Sequence, residues 1–247
     1  MNKKKFLSKI NSKVCYGIAH RGYWNEKFTE NSLGAFKEAI NHDIAFELDV
    51  HLSKDNQLIV CHDDDLIRTT GKKGIIEELT VEEIKNNYRL LDGSLVPTFQ
   101  EVLDLNKEKV PIICELKVHN KNYKPLAKRF IEESKQIKDR KNLMIISFDP
   151  RALLFAKKSG FVNSLLVTKN YHWVYKLRYF FDSLDLEYNM FEEKSVKKYA
   201  KKHFVNLRTI ESLEIFEKLY KEVDTLTCQK FDLNVAKERF KNKTYEM

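Results

Sequence analysis

Five side chains that could carry out metal or acid–base chemistry stand at the ends of short apolar runs in this sequence. They are Glu47, Asp49, Glu115, His20 and His62. Residues two apart on a strand point to the same face, so Glu47 and Asp49 would lie side by side. Three converging carboxylates without cysteine form a hard oxygen site that suits Mg²⁺ or Ca²⁺. A histidine titrates at about pH 6.5 and can serve as general acid or general base.

The competing interpretation is that each of these groups is structural. A lone carboxylate usually forms an ordinary ion pair, and a lone histidine is usually a satisfied structural residue. That interpretation is weak for three strand-end carboxylates flanked by two histidines. We interpret the remaining histidines as structural, and they are His42, His51, His119, His172 and His203. We expect His51 to face away from the site.

Two basic residues accompany these groups. Arg21 follows His20, and Lys117 lies two residues after Glu115 on the same predicted strand. Arginine binds phosphate as a two-pronged donor, and lysine acts as a point charge. Together with a divalent cation they would stabilise a pentacoordinate phosphorus transition state. The sequence contains no Walker loop or glycine-rich phosphate cradle, so phosphoryl transfer from a nucleotide is not indicated.

The elements that must position these residues alternate between strands and helices. Apolar and β-branched runs bounded by polar turns predict nine strands at 16–19, 44–50, 58–61, 111–116, 143–148, 164–167, 183–186, 204–207 and 223–227. Helical spacing predicts helices at 32–41 and 210–220. Thr80 with Glu83, and Thr98 with Glu101, have the form of helix capping boxes.

One connection is too short to join parallel strands. Only seven residues separate Val50 from Leu58, whereas a parallel crossover needs about a dozen or more. We therefore predict an antiparallel hairpin that turns at residues 54–57 and places Asp49 opposite His62. The other eight strands, with helices between them, predict a (β/α)8 TIM barrel with this extra hairpin strand after its second strand.

The composition excludes several classes of protein. The 247 residues are 43% hydrophobic and 32% charged, with only 7 glycines, so neither a disordered nor a repetitive chain is indicated. We predict a single domain over 1–247 with its core at about 14–235. The N-terminus lacks an apolar signal segment and the four cysteines match no zinc pattern, which predicts a cytoplasmic protein. The net charge of +8 is spread along the chain without a groove-reading motif, so no nucleic acid partner is expected.

A set of short motifs, in order and spacing, resembles the glycerophosphodiester phosphodiesterases, a family of the phosphatidylinositol-phosphodiesterase-like TIM barrel superfamily. The motifs are His20-Arg21-Gly22, Glu30-Asn31-Ser32, Glu47-Leu48-Asp49-Val50, Ser53-Lys54-Asp55, His62-Asp63, Arg68-Thr69-Thr70, Pro97-Thr98-Phe99, Glu115-Leu116-Lys117 and Ser147-Phe148. They cover residues 16–150. Several motifs matching in order are more specific than any one of them.

The resemblance implies hydrolysis of glycerophosphodiesters, small-molecule substrates, to glycerol 3-phosphate and an alcohol. It implies that His20 and His62 are the acid–base pair. It implies that one divalent cation, Mg²⁺ or Ca²⁺, is bound by Glu47, Asp49 and Glu115. It further implies that the substrate is bound by Arg21, Lys117, Glu30 and Asn31.

The second half of the chain departs from the family pattern. Members often carry a Trp-Thr-Val-Asn-like strand and a Gly-Ile-Ile-Thr-Asp-like strand near the end. Here the corresponding places read Val205-Asn206-Leu207-Arg208 and Thr225-Leu226-Thr227-Cys228-Gln229. The proposed chemistry is unaffected, but the choice of alcohol is left open, as is the oligomeric state.

An aromatic segment at 171–181 interleaves Tyr, Trp and Phe with Lys and Arg. It is either a lid or a transient membrane-surface contact on the catalytic face, or a barrel helix that packs its aromatic rings inward. The first option favours an alternative function, a phospholipase of the same barrel type that acts on intact phospholipids. A second alternative is a catalytically silent barrel that binds phosphodiesters or lipid headgroups. The complete set of histidines and carboxylates argues against the silent barrel.

Overall fold

A closed ring of parallel strands forms the centre of the molecule. The computed structural model describes residues 1–243. The strands are β1 Ile18–Ala19, β2 Ala45–Leu52, β3 Leu58–Val60, β4 Ile112–Leu116, β5 Leu143–Ser147, β6 Val162–Val167, β7 Ser183–Glu187, β8 Val205–Ile210 and β9 Thr225–Cys228. All except β3 pair in parallel, and β1 pairs with both β2 and β9, so eight strands close into a barrel. β3 lies outside the ring, antiparallel to β2. The predicted barrel with its extra strand is confirmed.

Helices follow most strands and cover the outside of the barrel. They are α1 Lys3–Leu7, α2 Leu33–Asn41, α3 Ile67–Thr70, α4 Val81–Asn87, α5 Phe99–Asn106, α6 Tyr123–Glu133, α7 Pro150–Ala156, α8 Lys194–Ala200, α9 Leu213–Leu219 and α10 Leu233–Lys241. Further 3₁₀ segments are Ser12–Tyr16, Ile76–Glu78, Ser134–Gln136, Arg140–Asn142, Lys157–Ser159, Lys169–Phe180 and Tyr188–Glu192. Both predicted capping boxes form, at the starts of α4 and α5. None of the helices in the described part of the chain has the length and apolar character of a membrane span.

The two ends of the barrel differ in polarity. At the N-terminal end, Phe6 of α1 packs with Ile113 of β4 and with Phe204, whose ring centroid lies 4.3 Å from that of Phe6. One step further along β4, Cys114 faces the helices, and Glu115 faces the interior again. Because strand side chains alternate, apolar layers fill one end of the barrel and the polar site forms at the other.

The hairpin between β2 and β3 forms, but its predicted register is wrong by one residue. Val50 pairs with Val60 and Leu52 with Leu58, which places Asp49 opposite Cys61 instead of His62. The Cys61 N–H donates to the Asp49 carbonyl at 3.1 Å. Ser53 pairs with Gln57, so residues 54–56 form the turn, in which Asn56 adopts a left-handed conformation with φ 58°. His62 therefore leaves the strand at the barrel mouth.

The end of β8 also differs from the prediction. The sequence predicted a strand at 204–207 and a helix from residue 210, whereas β8 continues to Ile210 and α9 begins at Leu213. The Ser212 hydroxyl accepts the N–H of Ile215 at 3.3 Å and fixes the start of α9. The longer strand carries Arg208 into the barrel mouth.

Candidate active site

Three carboxylates meet at the C-terminal mouth of the barrel. Glu47 and Asp49 lie on β2, and Glu115 lies on β4 as the register partner of Asp49. One oxygen atom of each residue lies within 4.8 Å of those of the other two, and all three residues are buried. This carboxylate triad, predicted from the sequence, is a cluster that could hold a metal ion.

Donors from the segment after β1 orient two of the three carboxylates. The Arg21 main-chain N–H donates to Glu47 Oε2 at 3.0 Å. The buried Asn31 side chain donates from Nδ2 to Asp49 Oδ2, also at 3.0 Å. Asn31 has φ 56°, a left-handed conformation that asparagine tolerates better than most residues. The backbone at Asn31 is thus folded so that its amide reaches the carboxylate triad.

Two cations predicted to bind substrate stand beside the triad. Lys117 Nζ lies 2.9 Å from Glu115 Oε1 and 3.6 Å from Asp49 Oδ1. Arg21 Nε lies 3.7 Å from Asp49 Oδ2. Each of the two basic side chains is 15% exposed, so both remain accessible from the mouth. They provide fixed positive charge where a phosphate would meet the carboxylates.

Sequence reasoning missed a third cation, Arg208 on β8. Its Nη2 lies 3.2 Å from Glu47 Oε1, and its Nη1 lies 3.2 Å from Glu115 Oε2. Its Nε lies 3.8 Å from Asp185 Oδ1 on the neighbouring strand β7. The departure from the family pattern at residues 205–208 could have drawn attention to Arg208. It would have indicated a site residue only if the strand had been predicted to continue as far as residue 208.

The charges of the triad shift its pKa values in opposite directions. Burial and the neighbouring Asp49 charge raise the pKa of Glu47 to about 8. Burial alone would also raise the pKa of Asp49, but Lys117, His62 and Arg21 outweigh it and hold that pKa below its usual range. Burial and repulsion between the two carboxylates on β2 thus raise one pKa, while the cations beside Asp49 lower the other.

His20 stands at the end of β1, and Gln229 after β9 holds it. Its Nδ1 lies 2.5 Å from Gln229 Oε1, and its Nε2 lies 4.0 Å from Glu47 Oε2. Because an amide oxygen only accepts hydrogen bonds, Nδ1 carries a proton in this contact. Burial, followed by Arg208 and Arg21, lowers the pKa of His20 well below its usual value. Sequence reasoning also missed Gln229, which lies in the second segment that departs from the family pattern.

His62 belongs to a chain of polar contacts at the mouth that also includes Asp63, Arg68, Glu30 and Arg21. Its Nδ1 lies 2.7 Å from Asp63 Oδ1, and Asp63 Oδ2 accepts from Arg68 Nε at 2.6 Å. Arg68 and Arg21 both donate to Glu30 Oε1, at 2.9 Å and 2.7 Å. Glu30, predicted to bind substrate, therefore holds the two arginines in place.

Adjoining cavities open onto these residues. A cavity of about 340 Å³ is lined by His20, Arg21 and His62 together with Arg208. A larger cavity of about 700 Å³ extends from His62 to the aromatic side chains beyond β5 and β6. Both predicted histidines thus border one space at the mouth.

The expectation that His51 faces away from the site is wrong. His51 is two residues after Asp49 on β2, and residues two apart on a strand share a face. It is buried, lines the larger cavity, and its Nε2 lies 3.1 Å from the carbonyl oxygen of His62. His51 therefore contacts the loop that carries His62.

The aromatic segment is partly buried and partly exposed. Val174 and Tyr175 are buried against the barrel, as a packing segment would be. Four other rings are more than half exposed: Tyr171, Trp173, Tyr179 and Phe180. Tyr171 and Trp173 line the larger cavity, where Phe148 lies 5.9 Å from Tyr171 between ring centroids. The segment forms one wall of the mouth.

Comparison with known proteins agrees with this geometry. The model of the glycerophosphoryl diester phosphodiesterase family matches residues 20–227. The chain belongs to this family. A crystal structure of a glycerophosphodiester phosphodiesterase from Thermotoga maritima is 31% identical, covers 89% of this chain and 96% of that chain, and superimposes with a TM-score of 0.74.

Curated members of the family match shorter stretches. A glycerophosphodiester phosphodiesterase from Caldanaerobacter subterraneus is 33% identical over 57% of this chain and 61% of its own length. A human lysophospholipase D is 32% identical over 53% of this chain and 44% of its own length. The chain spans about half the length of the curated relatives it matches.

Membership of this phosphodiesterase family makes the two departures in the second half of the chain informative. The first supplies Arg208, which contacts two triad carboxylates. The second supplies Gln229, which contacts His20. Both departures therefore act on residues of the candidate site rather than on its periphery.

Proposed function

We propose that the protein hydrolyses glycerophosphodiesters to glycerol 3-phosphate and an alcohol. The observation that carries this proposal is the convergence of the carboxylate triad and both histidines on one mouth of the barrel. Membership of the glycerophosphoryl diester phosphodiesterase family supports the same substrate class. Four buried cysteines without a disulfide agree with a cytoplasmic setting, which remains part of the proposal.

His20 and His62 exchange the protons. The glycerol hydroxyl next to the phosphate attacks phosphorus and passes its proton to one imidazole. The bond from phosphorus to the leaving oxygen breaks, and the other imidazole protonates that oxygen. Water then opens the cyclic phosphate with the two roles reversed, which yields glycerol 3-phosphate. Gln229 and Asp63 keep the two rings oriented during both steps.

The carboxylate triad would hold one divalent cation, Mg²⁺ or Ca²⁺. Its oxygen ligands suit either ion. Asp49 Oδ1 is buried and has no hydrogen-bond partner within residues 1–243, as expected for an atom that a cation would satisfy. Such a cation would supply Lewis-acid stabilisation of charge on the phosphoryl group. Lys117 and Arg21 bind the remaining phosphoryl oxygens, while Asn31 and Glu30 keep Asp49 and Arg21 in position.

The test is release of glycerol 3-phosphate from a panel of glycerophosphodiesters, with and without EDTA. We expect release that EDTA abolishes and that His20→Ala lowers by about 100-fold or more, since a general acid or base contributes about that much. His203→Ala is the matched control, because His203 bonds the Met1 carbonyl at the other end of the barrel. Substrate binding without release in either cation would contradict hydrolysis and favour the silent barrel.

One observation favours a second candidate, a phospholipase that takes substrates from a membrane surface. Tyr171 and Trp173 are exposed at the mouth, and the segment from Lys169 to Phe180 contains cations and no acidic residue. Aromatic rings and cations together suit an anionic lipid surface. We propose that 171–181 makes a transient membrane contact. Release of headgroup from vesicles of an intact phospholipid, lost in Trp173→Ala while glycerophosphocholine turnover is kept, would support this candidate. Equal turnover of the phospholipid by the wild type and by Trp173→Ala would exclude this candidate.

A further inference from the structure

Arg208 contacts two of the three carboxylates that would hold a cation. The residue is buried at the end of β8, and its two terminal nitrogens each lie 3.2 Å from a different glutamate of the triad. A guanidinium so placed neutralises the same carboxylates that would bind a divalent cation. The question is whether both can be held at once.

Each carboxylate oxygen of the two glutamates has a close basic or N–H partner in the structure. Glu47 Oε2 accepts the Arg21 N–H, and Glu47 Oε1 accepts from Arg208. Glu115 Oε1 pairs with Lys117, and Glu115 Oε2 accepts from Arg208. Departure of the Arg208 guanidinium would therefore free one oxygen on each glutamate and remove a like charge from the site.

Asp49 already offers the third oxygen. Its Oδ2 accepts from Asn31, whereas its Oδ1 accepts no hydrogen bond among the residues that the structure describes and lies 3.6 Å from Lys117 Nζ. With Arg208 withdrawn, each triad member would thus present one oxygen. A divalent cation held by Glu47 and Glu115 would repel the Arg208 guanidinium that contacts the same two carboxylates. Such repulsion is strong inside a protein, so binding of both groups at once is unfavourable.

The barrel also provides a second acceptor for Arg208. Asp185 is buried on β7, with Oδ1 3.8 Å from Arg208 Nε. Its Oδ2 accepts from Asn206, while Oδ1 makes no hydrogen bond in the described part of the chain. Asp185 can therefore keep the guanidinium inside the barrel after the glutamates release it.

We propose that Arg208 is an internal counter-ion that competes with a divalent cation for Glu47 and Glu115. In the cation-free protein it stabilises the triad, and it must move off both glutamates, towards Asp185, before a cation binds. This inference rests on the cation site of the proposed function. Its consequence is a barrel that is stable without the cation and binds the cation more weakly than the triad alone would.

The test measures cation binding directly. After EDTA treatment and removal of the chelator, Ca²⁺ and Mg²⁺ are titrated into the wild-type protein and Arg208→Met by calorimetry, and thermal unfolding is followed with and without each ion. We expect Arg208→Met to bind the ions about tenfold more tightly or better, because a competing unit charge is gone. Its melting temperature without ions should fall, and its rise on adding ions should exceed that of the wild type.

Two further variants sharpen the result. Asp185→Asn should weaken cation binding, since it removes the charge that receives Arg208. Arg151→Met removes a cation at the same mouth that pairs with Asp149 rather than with the triad, so its cation affinity should match the wild type. If Arg208→Met does not fold without ions, the weakened binding of Asp185→Asn decides the question.

The inference is overturned if Arg208→Met binds the ions equally or more weakly, or if neither protein binds them. These outcomes are distinct from failure of the proposed hydrolysis, which glycerol 3-phosphate release measures separately. Tighter binding in Arg208→Met without any release of glycerol 3-phosphate would remove the proposed activity and leave the competition standing. Release of glycerol 3-phosphate, with the same cation affinity in Arg208→Met as in the wild type, would support the proposed activity and exclude the competition.

Discussion

Three residues of the candidate site are each oriented by a neighbouring side chain. Asn31 orients Asp49, Gln229 orients His20, and Asp63 orients His62. The sequence motifs indicated Asp49, His20 and His62 as candidates, because their types suit metal and acid–base chemistry and strand ends bring them together. Gln229 was not predicted, because a glutamine after a strand has no chemical signature until the fold places it beside a histidine.

Replacing Asp63 with Asn should reduce turnover without removing the catalytic groups. The variant loses the charged partner of His62 Nδ1 and of Arg68, so His62 is oriented less well. We expect kcat for glycerophosphodiester hydrolysis to fall by about 10–100-fold, as for other residues that orient a reactive group, with little change in KM. Asp104→Asn, an exposed change on α5, is the control. An unchanged kcat in Asp63→Asn would show that this contact does not position His62.

The same aspartate should make stability depend on pH. Burial alone would raise the pKa of Asp63, but its hydrogen bonds to Arg68 and His62 prevail and hold that pKa at about 2. A lowered carboxyl pKa stabilises the fold above the unfolded pKa of about 3.9, and the contribution is lost as the pH falls through 2. The effect is modest because the side chain is about one-third exposed.

Denaturant midpoints of the wild type and Asp63→Asn at pH 7, 4 and 3 measure this contribution. We expect the wild type to be more stable at pH 7, with the difference falling by about half at pH 3. A difference that stays constant over this range would assign the effect of the substitution to something other than the Asp63 charge.

At the scale of elements, the alternation of strands and helices could be predicted, whereas some boundaries could not. All nine strands lie where apolar runs predicted them. The predicted register of β3 was wrong because the hydrophobic pattern does not show how many residues the turn contains. Asn56 in its left-handed conformation belongs to a turn of three residues. β8 continues past its apolar residues because Arg208 has buried carboxylate partners on other strands, which the local sequence does not reveal.

Asn56 tests this account of the turn. Its φ of 58° costs a β-branched residue about 1–2 kcal/mol, whereas glycine accepts it freely. We expect Asn56→Val to lower the free energy of unfolding by about 1–2 kcal/mol and Asn56→Gly to change it by about 0.5 kcal/mol or less. Urea unfolding of both variants gives the values. Equal stabilities for the two would contradict a turn that depends on this conformation.

At the scale of the whole molecule, the barrel separates an apolar end from a charged end. The charged end concentrates buried carboxylates whose negative charge is only partly balanced by the cations beside them. A bound divalent cation should therefore raise the stability of the entire barrel, since it binds the folded state alone.

Thermal unfolding with excess Ca²⁺ or Mg²⁺ tests that coupling. We expect a higher melting temperature that EDTA reverses, which corresponds to about 2.7 kcal/mol at one hundred times the dissociation constant. Glu115→Gln should lose most of the shift, because it removes one triad charge. Glu214→Gln, an exposed change on α9, should keep it. A shift that survives in Glu115→Gln would place the cation elsewhere.

The ring is closed by a strand of two residues, and this has a consequence for the order of folding. β1 joins β2 on one side and β9 on the other, so residues 18–19 remain with an open edge until residues 225–228 have been synthesised. Contacts between such distant parts of the chain form slowly. During translation the nascent chain therefore exposes a strand edge for almost its whole length, and ribosome-bound chains that stop before β9 should depend on chaperones to remain unaggregated.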